Sequence, residues 1–131
     1  MSSTRDDVKA RIEAIEAGYE YFLAYAAQGL TTDQGSKSGG QLRGFLTEVE
    51  AAMDGLAGQI QLLVKETDAQ PASAWADFLQ VIERDAFAAR AAVQLVSGQE
   101  GVSSQLVDNL NANIHVRALL ANLFIVDEVT D

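Results

Sequence analysis

Trp75–Val96, WADFLQVIERDAFAARAAVQLV, carries the rhythm that decides the fold. Trp75, Leu79, Ile82, Ala86, Ala89, Val93 and Val96 recur at alternating steps of four and three, the spacing that lines one side of an α-helix. A second line beside it, Phe78, Val81, Asp85, Ala88, Ala92 and Leu95, widens the apolar arc and is interrupted by one acid. The spacing predicts a helix over 74–97, entered after Pro71 with Ser73 as its N-cap and ended at Gly98.

The same rhythm recurs on both sides of this stretch. Towards the C-terminus, a helix is predicted over 104–127, capped by Ser104, with Leu106, Leu110, Val116, Leu120 and Leu123 facing inward. Towards the N-terminus, Leu46, Val49, Met53, Leu56, Ile60 and Leu63 form a heptad stripe in a helix over 41–66. Beside that stripe run Gly44, Ala51, Gly55 and Gly58, each interior glycine costing about 1 kcal/mol of helix stability relative to alanine. Small residues in a line predict close approach by a neighbouring helix, with space for a ligand as the rival reading. A first helix over 4–29 is read from Val8, Ile12, Ile15, Tyr19, Phe22 and Ala26, with Thr4 and Asp7 at capping-box spacing and Gly29 at its end. Between the first two helices, TTDQGSKSGG (31–40) is rich in Gly, Ser and Thr and is read as a flexible connector. Fully stretched it spans roughly 33 Å against about 39 Å for a 26-residue helix, so a reversal is easier than a crossover.

No strand-like alternation competes anywhere along the chain. Four amphipathic helices in 131 residues, joined mostly by short turns, predict an all-α, single-domain, antiparallel up-down-up-down four-helix bundle.

Composition narrows the function classes. Nineteen acids against nine basic residues give a net charge of −10, which repels a phosphate backbone or an anionic bilayer, so neither nucleic acid nor a membrane is an expected partner. No run of about 18 apolar residues is long enough to span a bilayer. The N-terminus lacks a secretion-signal pattern, which makes a cytoplasmic location the expectation. With no cysteine there is no disulfide frame, thiolate metal site or cysteine nucleophile. The lone histidine leaves no Glu-x-x-His pairs for a di-iron bundle, and the glycines of the connector are not followed by a phosphate-loop lysine. No catalytic residue, metal or cofactor is assigned. The acids of the first two helices, Glu13, Glu16, Glu20, Glu48, Glu50 and Asp54, are read as a solvated wall.

The most chemically mixed stretch is Leu106–Val126, LVDNLNANIHVRALLANLFIV. Asp85 and Arg117 both interrupt apolar lines, and each lies 13 residues from its side of the turn between Gly98 and Ser104. An antiparallel hairpin sets them at one height, so they are expected to form an ion pair that fixes register, or a polar pocket for a small ligand extended by Asn109 and Asn113. His115 falls on another line, with Asn111, Ala118 and Asn122, and is expected to be solvated, with phosphoryl acceptance, or service as a ligand to a metal or, together with Met53, to a haem, as its functional readings. Histidine phosphotransfer modules are similar four-helix bundles, but set a lysine and a small residue three and four positions after the histidine, where this chain has Ala118 and Leu119. The segments YFLAYAAQGL and ALLANLFIV are apolar on every side, which predicts a homodimer or larger assembly with Tyr21, Tyr25, Leu119 and Phe124 at the contact. The reading that follows is a non-enzymatic adaptor, assembly factor or regulator that binds itself and another protein.

Overall fold

The computed structural model describes residues 3–131, and among them the regular structure is entirely α-helical: α1 (Thr4–Ala27), α2 (Lys37–Met53), α3 (Leu56–Thr67), α4 (Ala72–Ser97), α5 (Ser104–Ala112) and α6 (Ile114–Thr130). α1 and α4 are the two long helices. Each packs against all four shorter ones, and α2 and α3, like α5 and α6, lie between them. No helix of the described residues is long and apolar enough to cross a membrane.

The buried side chains form one contiguous cluster drawn from every helix. The stripes that define α1, the α2–α3 pair and α4 supply most of it. Val8, Ile12, Ile15 and Phe22 are buried in α1, and all six positions from Leu46 to Leu63 are buried in α2 and α3. Burying a side chain of this size stabilises the fold by about 1.5–3 kcal/mol.

Two expected helices are broken. The 41–66 helix starts four residues earlier, at Lys37, and is interrupted at Asp54 and Gly55. Gly55 adopts φ +73°, a conformation glycine reaches without steric cost, and α3 begins on the next residue. The apolar stripe runs through the break without losing phase, which is why periodicity does not reveal it. The 104–127 helix is interrupted at Asn113, whose backbone is extended and whose side-chain oxygen accepts from the amides of His115 and Val116. That is the N-cap bond of a new helix.

Local signals shift by about one residue at the other ends. Ser3 and Asp6, not Thr4 and Asp7, form the capping box of α1. Ser103, not Ser104, caps α5, and Pro71, not Ser73, precedes α4. Gly29 follows α1 with φ +66°, as expected of a terminating glycine.

The glycine stripe does not bring helices together. A Cβ at Gly44, Gly55 or Gly58 would meet open space, and Ala51 is exposed. Close approach falls instead at Gly18, where a Cβ would overlap Val49, and at Gly39, where it would overlap the Asp33 carbonyl.

Nor is the connector loose. Asp33, only 7% exposed, accepts from Arg43 Nε at 2.7 Å and from the Val102 amide at 2.7 Å. Arg43 also donates to the carbonyls of Ser97, Gln99 and Glu100. One ion pair thus ties the connector, α2 and the α4–α5 turn together. The Arg43 guanidinium and the Val102 amide outweigh burial and hold the Asp33 carboxyl below its ordinary value. Beside it, Ser104 Oγ donates to Tyr25 O and accepts from the Leu30 amide.

Candidate functional site

The centre of α4 is where the chemistry gathers, because both helix breaks lie against it. On one side Arg90 reaches across to Asp54 at 3.5 Å, beside the Gly55 break. On the other, Asp85 meets His115, just past the Asn113 break. The residues between them on α4 form the candidate site.

Asp85 does not pair with Arg117, and the expected ion pair is corrected. Its Oδ1 lies 3.3 Å from His115 Nδ1, and its Oδ2 accepts from Asn122 Nδ2 at 3.3 Å. The cause is the extended residue at Asn113. In one continuous helix, Ile114, Arg117, Ala121 and Phe124 would prolong the line of the buried Leu110. With the break, α6 is rotated, all four of those residues are exposed, and His115 and Asn122 come to face α4. The polar ladder dissolves for the same reason. Asn109 is exposed and accepts from Gln105, and Asn113 is spent capping α6.

The Asp85 side chain is 16% exposed and His115 is 50% exposed. A carboxylate at Nδ1 favours the tautomer with its proton there, which leaves the Nε2 lone pair for a ligand or an electrophile. This is the base-and-orienter half of a nucleophilic site, with no hydroxyl or thiol joined to it among the described residues. Nor do His, Asp and Glu side chains gather anywhere in a set of three or more able to hold a metal ion, among the described residues.

Of the four residues expected at a self-association contact, two are buried and Tyr21 is half-buried. Tyr25 is fully buried and donates its hydroxyl to Val102 O at 2.7 Å. Burial, first, and the nearby Asp33 charge push its phenol pKa up. Tyr21 stacks on Phe45 with ring centres 4.4 Å apart and donates to Ser38 O. Leu119 is fully buried, and Phe124 alone is exposed. The connector and the α4–α5 turn cover part of the apolar surplus of the first segment, and Leu23 there and Phe124 and Ile125 in the last segment remain exposed.

Further apolar surface is exposed on α4. Phe87 is 79% exposed, the most open of the large hydrophobic residues, and Leu95 is exposed as well. Phe87 lines a groove of about 580 Å³ together with Gly55, Ala57 and Gly58 of the break and of α3, and with Asp54, Glu83 and Arg90. The line Gln80, Phe87 and Gln94 at sevenfold spacing was present in the sequence, but only solvent exposure separates such a line from the buried one beside it.

In comparisons with protein-family models, curated proteins and solved structures, nothing matches this chain.

Proposed function

We propose that the six helices are four rods in up-down-up-down order, two of them broken, and that the protein works without catalysis by binding a second copy of itself across α4. The observation that carries this reading is Phe87, a large aromatic side chain left in solvent beside a groove lined in part by Gly55 and Gly58. Its amide and leucine neighbours along α4 are symmetrically placed, while Arg84 and Arg90, three residues to either side, set like charges opposite each other. Gln80 and Gln94 stand seven residues to either side of it, and Leu79 and Leu95 eight. An antiparallel two-fold axis through Phe87 sets Gln80 against the second copy's Gln94 and Leu79 against its Leu95. An aromatic residue at the centre of such a patch dominates the binding energy. Contact with a further protein, as an adaptor or assembly factor, uses the surface left free by this pairing.

Light scattering after size exclusion tests the pairing. The wild-type chain is expected to run as a dimer at tens of micromolar, more firmly as salt screens its net charge of −10. Phe87→Asp is expected to weaken the dimer by about 30-fold while leaving the helical circular dichroism unchanged. A wild-type monomer, or a Phe87→Asp dimer of equal strength, overturns the reading.

A second reading, phosphoryl transfer through His115, is favoured by the Asp85 carboxylate at Nδ1. His115 Nε2 would form the N–P bond as the donor's P–O bond breaks, the pair leaving with the donor's carboxylate while Asp85 offsets the charge on the ring. Acetyl phosphate is expected to place acid-labile phosphate on His115 faster than on the urea-unfolded chain, and about tenfold more slowly in Asp85→Asn. Equal rates in all three reduce His115 to an ordinary surface histidine.

A further inference from the structure

A cavity of about 390 Å³ opens at the end of the molecule where α1 and α4 begin and α3 and α6 finish. Trp75, Phe78, Ile125, Val129 and Pro71 form its apolar walls, and Arg5 stands at its rim. We propose that this cavity binds an elongated apolar carboxylate, its tail against Trp75 and Phe78 and its head group on Arg5.

Three observations carry the assignment. First, no acid lines the cavity, although acids outnumber basic residues in the chain by 19 to 9. The other grooves of similar size contain Asp54 and Glu83, or Asp108. Second, Arg5 forms no ion pair among the described residues. It donates to the carbonyl of Thr130, which leaves further N–H groups of the guanidinium to offer. Of the neighbouring carboxylates, Glu66 accepts from the Thr4 hydroxyl and Asp127 and Asp131 pair with Lys9, while Arg5 acts on Asp131 only through its charge and without an ion-pair contact. Third, Trp75, which lines the cavity, is 8% exposed, so its indole ring is a packed apolar wall. The remaining polar groups are already used. The hydroxyls of Thr67 and Thr130 bond carbonyls of their own helices, and the Gln70 amide bonds Asp68.

Apolar walls, a guanidinium with N–H groups to offer and no lining carboxylate select an anion over a cation of the same length. The planar guanidinium fork matches a carboxylate in particular. The volume lies in the range of small-molecule sites, and the walls suit an alkyl or aryl-alkyl chain.

Trp75 is the only tryptophan, so its fluorescence reports the cavity directly. Octanoate, 1-octanol and octylamine share one tail and differ in the head group. Octanoate is expected to shift Trp75 emission saturably, about tenfold more tightly than octanol, with octylamine giving no saturable change. Arg5→Met is expected to reduce octanoate to the affinity of octanol and to leave octanol unaffected. Equal binding of all three compounds to the wild-type chain, or no saturation with octanoate, overturns the proposal without recourse to any variant. Undiminished octanoate binding in a folded Arg5→Met chain does so as well.

Discussion

Arg43→Met is expected to destabilise the protein by about 3 kcal/mol and to lower its thermal midpoint by about 10 °C. Asp33 is almost fully buried, and the substitution leaves its carboxylate with the Val102 amide as its one strong partner. Removing one member of a buried pair costs more than the pair contributes, because the abandoned charge stays out of water. Three carbonyls of the α4–α5 turn lose their donor at the same time. Urea denaturation followed by circular dichroism measures the loss, and a change below about 1 kcal/mol, the scale of a surface pair, contradicts this account.

The pH dependence of the same pair has a definite sign. The Asp33 pKa is depressed by Arg43, so the folded state binds its proton less readily than the unfolded chain does. The stabilisation is therefore complete above the ordinary value of 3.8 and is lost as pH falls through the folded value below it. The stability difference between wild type and Asp33→Asn should be constant near neutrality and shrink only in that acidic window. A difference that instead grows on acidification contradicts the assignment.

Gly39→Ala and Gly40→Ala are expected to act in opposite directions. A methyl group at Gly39 overlaps the Asp33 carbonyl, a backbone atom held in place by the ion pair, so the connector must move. Overpacking of this kind costs about 3 kcal/mol at the upper end of its usual range. At Gly40 the added methyl meets nothing within 4 Å, and the helix gains about 0.5–1 kcal/mol from the better helix former. Melting curves of the two variants separate these outcomes. Equal effects at the two positions would mean that the connector is free to yield.

The helical class was legible because burial leaves a period of 3.6 in the sequence, and the stripes from Val8 to Phe22, Leu46 to Leu63 and Trp75 to Val96 are the buried ones in the structure. The breaks were not. At Gly55 the stripe keeps its phase, so a count of apolar positions passes over the interruption. At Asn113 the phase changes, which leaves Leu110, Val116, Leu120 and Leu123 buried as expected but displaces the side chains between them. Arg117 moved outward, Leu119 inward, and Asp85 received His115 in place of Arg117. A cue was present in Asn113 itself, an N-cap residue two and three positions before the amides it binds, but it stands among other asparagines with no such role. Asp33 and Arg43 escaped notice because an ion pair between a loop and a helix has no period. Asn111, buried with its amide on Tyr19 O, was hidden for the same reason. The apolar surplus at the ends of the first and last segments was real in composition. Part of its cover comes from connector and turn segments whose placement the sequence does not encode locally, and Leu23, Phe124 and Ile125 stay in solvent.

The interruptions at Gly55 and Asn113 fall at one level, opposite Arg90 and Asp85 of α4. At that level only α1 and α4 carry an unbroken backbone ladder from one end of the molecule to the other. Fraying of α3 and α6 therefore need not spread into α2 and α5, which are fastened by the Asp33–Arg43 clasp. The opposite end is held in a different way, by single bonds from α1 to the helices that finish there: Gln59 on Asp7, Thr4 on Glu66 and Lys9 on Asp127 and Asp131.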